Sequence, residues 1–262
     1  MPDPSSLTSD LHCDDTKLRW LADLEAHAIL VAGDLLDIFS QTGIRQQQGE
    51  IHRWCTKLQE RDRPLIWSSG NHDFFNGPNT PVSSASPEWM KDGDFAVVSD
   101  GETRLLRIDG LPLALTTVPW PVTGGDFFEE DEKTSHLEFV RRLLAEGMRY
   151  QAAGATWILL AHEPPSGTPL CAGYEAGEAD FTRQMIESAQ PDFSLHGHLH
   201  EAPGKKGGSW IWQLGKTVCL NAGQSHRDEI PNLIELELRA DKSWTAVWRG
   251  FGTSVRAEGP PK

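Results

Sequence analysis

Ala28-Ile29-Leu30-Val31-Ala32-Gly33-Asp34-Leu35-Leu36-Asp37 carries the clearest strand signal in the chain. An unbroken apolar run closed by glycine reads as a strand buried on both faces, as in a parallel sheet covered by helices. Gly33 lets the backbone turn sharply and leaves Asp34 at the C-terminal edge of the sheet. In open α/β sheets that edge is where ligands bind. One carboxylate there is also common as a helix cap, so its meaning depends on what else reaches the same edge.

On the N-terminal side, Leu7-Thr8-Ser9-Asp10-Leu11-His12 reads as a short first strand, more polar than a central strand usually is. Asp14 and Asp15 suit the start of a helix whose Leu18, Leu21 and Leu24 recur at helical spacing. On the C-terminal side come a polar loop (Ser40–Gln48), a helix (Gly49–Asp62) and a third strand (Pro64–Ser69) ending in Gly70-Asn71-His72-Asp73. This alternation predicts βαβ units and a parallel sheet.

Phe74–Gly93 reads as a long loop, and Arg104–Ile108 with Leu113–Val118 as a strand pair joined through Asp109-Gly110. Pro119–Lys133 is a second loop, aromatic and acidic, whose Trp120, Phe127 and Phe128 suit a lid or core packing. A helix (Thr134–Ala153) precedes the strand Trp157–Ala161, which ends in His162. A helix (Glu178–Ser188) then precedes the strand Asp192–Leu195, which ends in His196-Gly197-His198-Leu199-His200. Trp210–Gln213, Lys216–Leu220, Asn232–Leu238 and Ser243–Trp248 are strand-like.

With 262 residues the chain can bury a sizeable core, and residues 1–262 are expected to form one domain. No apolar run approaches the ~18 residues a membrane span needs, and Met1–Ser6 has neither the basic nor the apolar part of a secretion signal. Cytoplasmic residence is the expectation, without membrane association. Cys13, Cys55, Cys171 and Cys219 form no C-x-x-C pair and suit reduced thiols. A net charge of −14 is a poor field for gathering DNA or RNA, whose phosphates need lysine and arginine.

Five strand ends carry residues able to bind a metal: Asp10 with His12, Asp34, Asn71 with His72, His162, and His198 with His200. Carboxylates, imidazoles and one carboxamide delivered together to one sheet edge suit divalent transition metals. His196 alone fits a satisfied structural histidine.

In order along the chain, Asp10-x-His12, Gly33-Asp34-x-x-Asp37, Gly70-Asn71-His72-Asp73, His162 and Gly197-His198-x-His200 resemble the signature of the calcineurin-like metallophosphoesterases. The resemblance spans residues 10–200. It implies an α/β fold in which two mixed β-sheets pack as a sandwich flanked by α-helices, in four layers α/β/β/α. It also implies two divalent ions (Mn, Fe, Zn, Ni or Co). One would be held by Asp10, His12 and His200, the other by Asn71, His162 and His198, with Asp34 bridging. The activity implied is hydrolysis of a small soluble phosphodiester or phosphomonoester, nucleotides among the candidates, by in-line attack of a metal-bridging hydroxide. Metals lower the pKa of bound water from about 15.7 to near 7, which eases hydroxide formation by roughly 12 kcal/mol.

In the family, the second aspartate of Gly-Asp-x-x-Asp orients the histidine that serves the leaving group. Here that means Asp37 acting on His72, with Asp73 the competing partner and otherwise a structural residue. Ile38 stands where the serine/threonine protein phosphatases of the superfamily carry arginine, and His72 is retained where lipid A precursor hydrolases have arginine. Arg45, Cys13, Lys205 and His226 are candidate substrate contacts, with Lys206 and Arg227 also near motif ends. The rival functions are a nuclease of the same superfamily, which the acidic composition opposes, and a non-catalytic scaffold, which would be expected to lose ligands. Oligomeric state is open.

Overall fold

The computed structural model describes residues 4–74, 86–91, 94–108, 110–120, 130–174 and 181–260. Phe127, Phe128, Asp109 and most of the loop expected over Phe74–Gly93 lie outside these residues. The strands are β1 (Ser5–Thr8), β2 (Ile29–Ala32), β3 (Leu65–Ser68), β4 (Thr103–Ile108), β5 (Leu111–Val118), β6 (Thr156–Ala161), β7 (Phe193–His196), β8 (Ile211–Leu214), β9 (Thr217–Asn221), β10 (Leu233–Leu238), β11 (Trp244–Gly250) and β12 (Thr253–Gly259). The helices are α1 (Asp15–Asp23), α2 (Ile44–Glu60), α3 (Glu130–Ala152) and α4 (Phe181–Ala189).

Two six-stranded sheets form, in the orders β12-β11-β10-β1-β2-β3 and β4-β5-β6-β7-β9-β8. Both are mixed. β1, β2 and β3 run parallel while β10 is antiparallel to β1. In the other sheet β5, β6, β7 and β9 run parallel, with β4 and β8 antiparallel at the edges.

The period-2 alternation of strand side chains assigns the layers. Along β2, Leu30 and Ala32 enter the core between the sheets, while Ile29 and Val31 pack under α1 and α2 with Leu18, Leu21, Trp54 and Leu58. Along β6, Ile158 and Leu160 face the shared core, and Trp157, Leu159 and Ala161 pack with Val140, Leu144, Met185 and Ile186 of α3 and α4. The layers are therefore helix, sheet, sheet, helix, as the resemblance implied.

β1 is a central strand despite its polar residues. It pairs with β10 on one side and β2 on the other, and Thr8 Oγ1 donates to Asn232 O at 2.9 Å. Several boundaries differ from the sequence expectation. β1 covers Ser5–Thr8 rather than Leu7–His12, which leaves Asp10 and His12 beyond the strand's end, and α3 begins at Glu130, within the stretch expected as a loop over Pro119–Lys133. α2 begins at Ile44, five positions before Gly49, because Gln47 ties the preceding turn together through Asp37 N, Asp37 O and Thr42 O. β12 was not expected at all: it is a largely exposed edge strand with no apolar alternation. Among the described residues, no helix is long and apolar enough to cross a membrane.

Candidate metal centre

The C-terminal ends of β1, β2, β3, β6 and β7 deliver their loops to one place. The turns there are unusually tight. Asp10, His12, Asp34 and His198 all have positive φ (54°, 48°, 56° and 66°), a left-handed conformation that non-glycine residues rarely adopt. Gly33 has φ 84°, and a Cβ on it would lie 2.3 Å from His162 Nδ1. A Cβ on Gly70 would lie 2.2 Å from Asp34 Oδ1. The glycines before the ligands are thus fixed by close approach as well as by turning.

Among the described residues the side chains converge in three overlapping groups: Asp10 with His12, Asp34 and His200; Asp34 with His162 and His198; and His12 with Asp37 and His72. His200 Nε2 lies 3.1 Å from Asp10 Oδ1 and 3.3 Å from His12 Nε2, and His162 Nε2 lies 3.3 Å from Asp34 Oδ2. Asn71 Oδ1 stands 2.9 Å from His198 Nδ1 and 3.1 Å from His162 Nε2, completing the second group. All seven residues expected as ligands are brought together.

Hydrogen bonds to the outer nitrogens orient two of the rings. His12 Nδ1 meets Leu36 O at 3.0 Å and His162 Nδ1 meets Ala32 O at 2.7 Å, turning each Nε2 inward. Asp10 accepts the His198 N–H on both oxygens, at 3.0 and 3.1 Å.

The donor set fits cations. Asp10 and Asp34 are 0% and 1% exposed, and among the described residues their ion-pair partners are imidazoles alone. Buried carboxylates need a positive partner. Burial pushes the Asp10 carboxyl up, but the hydrogen bond and charge of His200, together with the charges of His162 and His12, hold it below the usual range. Burial pulls His162 down, yet the charge and hydrogen bond of Asp34, with Asp10 and Ala32 O, outweigh it and push the ring up to about 10.

Asp73 is a brace. Its Oδ2 accepts the N–H groups of Asp34 and Gly70 at 2.9 Å each, and its Oδ1 accepts those of Leu35 and Leu36 at 3.0 Å each. It is therefore spoken for and does not hold His72. The hydrogen bond expected from Asp37 to His72 is not formed either, because Asp37 Oδ1 lies 3.8 Å from His72 Nδ1 and accepts the Phe39 N–H instead. His72 Nδ1 takes the Ile38 N–H at 3.2 Å. Burial holds the His72 pKa below its ordinary value, against the charges of Asp34 and Asp37. Phe39, 83% exposed, stands edge-on to this ring with centroids 5.3 Å apart.

The four candidate substrate contacts separate. His226 joins the cluster, with Nε2 2.6 Å from His200 Nδ1. Cys13 turns toward α2, where its thiol meets Gln47 O and Glu50 Oε2, and burial pushes its pKa up to about 12. Lys205 lies over the Tyr174 ring at 4.6 Å and pairs with Glu201. Arg45 is exposed in the first turn of α2. His196 is buried and satisfied by Ser194 Oγ and Ala161 O, as the sequence suggested. The structural role of Asp73 is the alternative the sequence left for it, although the four amides it accepts were not foreseen; Phe39, an exposed aromatic residue, was missed.

A model of the calcineurin-like phosphoesterases matches residues 7–202. The chain belongs to that family. Among solved structures, this phosphoesterase is similar to a dimetal phosphatase from Danio rerio, at 10% identity and a TM-score of 0.60 over 97% of this chain and 99% of that one. It is also similar to PhoD, at 10% identity and a TM-score of 0.53 over 98% and 68% of the two chains. These likenesses agree with the four-layer fold. No curated protein matches the phosphoesterase by sequence. Family and donor set together indicate metal-dependent phosphoester hydrolysis.

Proposed function

We propose that the protein hydrolyses small soluble phosphodiesters or phosphomonoesters with two divalent cations bound at this cluster. The observation that carries the proposal is the sharing of Asp34 between the group of Asp10, His12 and His200 and the group of His162 and His198. Asp10, His12 and His200 would hold one cation and Asn71, His162 and His198 the other, with Asp34 common to both. When bound, such a pair supplies a water that ionises near neutral pH and positive charge for the phosphoryl oxygens. Neutral imidazoles and one carboxamide hold cations without cancelling their charge, which leaves the site attractive to an anionic ester. The same donors accept several first-row metals, so availability sets which is used.

His72 serves the ester oxygens. Because its Nδ1 accepts the Ile38 N–H, the neutral ring carries its proton on Nε2, the atom 3.9 Å from Asp34 Oδ2. An imidazolium would place Nδ1–H against that N–H. His72 therefore acts as a neutral hydrogen-bond donor that steadies developing negative charge. Asp37 contributes by fixing the Ile38–Phe39 turn that presents this N–H.

The test is turnover of bis-p-nitrophenyl phosphate against p-nitrophenyl phosphate by the manganese-loaded protein, which separates diesterase from monoesterase. Asp34→Asn should lower kcat by at least about a hundredfold, beyond the usual loss on mutating an outer-shell partner of a metal ligand. Parental rates in Asp34→Asn would refute the proposal. No turnover of either ester by the metal-loaded parent would favour a non-catalytic scaffold.

A further inference from the structure

The loop after β9 lies beyond the residues matched to the family, yet it is fastened to the ligand cluster. Gln224 N donates to His200 O at 2.8 Å, and Gln224 Nε2 donates to Ser9 O, next to Asp10, at 3.0 Å. The Gln224 Oε1 accepts the N–H groups of Ser225 and Asn232 at 3.2 and 3.1 Å. From α1, Lys17 Nζ donates to Ser225 O at 2.6 Å. Gly223 has φ 60°, and a Cβ there would stand 2.6 Å from His200 O. The loop is therefore docked against the main chain of His200 from several directions, and the residue it presents is His226. The His226 ring centroid lies 4.5 Å from that of His200 and 5.6 Å from that of His12.

We infer that His226 is a positioning residue for His200, an outer-shell partner of the cation site rather than a substrate contact. The inference rests on the two-cation proposal above. For His200 to offer a lone pair on Nε2, the nitrogen facing Asp10 and His12, its proton must sit on Nδ1. His226 Nε2, 2.6 Å from that nitrogen, is the acceptor. The bond fixes the tautomer and the angle of the His200 ring, and it makes the ring a better electron donor. His12 and His162 have backbone carbonyls in this role, from Leu36 and Ala32. In His200 an imidazole on a separate, well-anchored loop takes the same place.

The experiment titrates metal-free protein with manganese for the parent, His226→Ala and His226→Gln. Because His226 is exposed, both variants should unfold at the parental temperature. His226→Ala should weaken one of the two cations about 10- to 100-fold and leave the other unchanged. Glutamine, whose carbonyl oxygen can accept the Nδ1–H, should recover most of the loss. In zinc-loaded parent, nitrogen NMR should place the His200 proton on Nδ1. Parental affinity in His226→Ala, or equal weakening in both variants, overturns the inference while leaving the two-cation proposal standing. A parent that binds no cation pair overturns both.

Discussion

Replacing Asp73 by asparagine tests what keeps the ligand-bearing turns in shape. The carboxyl is fully buried and its two oxygens accept four backbone N–H groups, from Asp34, Gly70, Leu35 and Leu36. Asparagine keeps one oxygen and sets an NH2 group where the other stood. Two of the four N–H groups then lose their acceptor and meet a donor. A hydrogen bond to a charged group contributes about 1.5–3 kcal/mol, so the loss should be about 3–6 kcal/mol. That is a large share of the roughly 5–15 kcal/mol that holds a typical domain folded. Urea unfolding of chelator-treated parent and Asp73→Asn measures it without any contribution from bound cations. Burial and the Asp34 charge push the Asp73 carboxyl up. A carboxyl that kept its proton would resemble asparagine, and the substitution would then cost under about 1 kcal/mol. That outcome would refute the account of a carboxylate gripping four amides.

His72→Ala should slow esters with p-nitrophenyl and alkyl leaving groups by similar factors, since a neutral donor does not hand over its proton. A penalty growing a hundredfold or more toward alkyl leaving groups would show general acid catalysis instead. Gly33→Ala combines a positive φ with a Cβ 2.3 Å from His162 Nδ1. It should lower the melting temperature and displace the cation assigned to His162, read by zinc stoichiometry, and full zinc content would contradict the packing described. Burial pushes Asp100 up to about 6 from 3.8, so the folded state binds its proton more tightly than the unfolded chain. Stability should therefore fall as pH rises from about 4 to about 6. Asp100→Asn, which retains an acceptor for the Ser69 N–H, should recover about 3 kcal/mol above that range in pH-dependent urea unfolding. A flat difference between the two proteins across pH would contradict this.

The cluster was legible because each member lies within four residues of a strand's C-terminal end, so residue type and position reinforce one another. Asp34 after Gly33 and His162 after Ala161 are read from the chain without knowing the sheet order. Relations between loops were not legible. The N–H of Ile38 competes with Asp37 for His72, and a backbone group leaves no mark in residue type. Asp73 reads as a partner for its neighbour His72 but reaches back 39 residues to Asp34 N. His226 stands 26 residues beyond His200, and only the pairing of β7 with β9 brings its loop back to the site. β12 was illegible because an exposed edge strand has no buried face to impose alternation.

Four of the seven residues assigned to the cations hold left-handed backbone at Asp10, His12, Asp34 and His198. Each such residue costs about 1–2 kcal/mol, offset by the hydrogen bonds that tie the turns together, such as Asp10 N to Gly33 O and His12 N to Asp34 O. On the two-cation proposal, the shape of these turns would set where the donor atoms stand. The strain sits in the backbone of the turns and not in the choice of metal. It also makes these positions intolerant of valine, isoleucine or threonine on conformational grounds alone, before any loss of a ligand atom is counted.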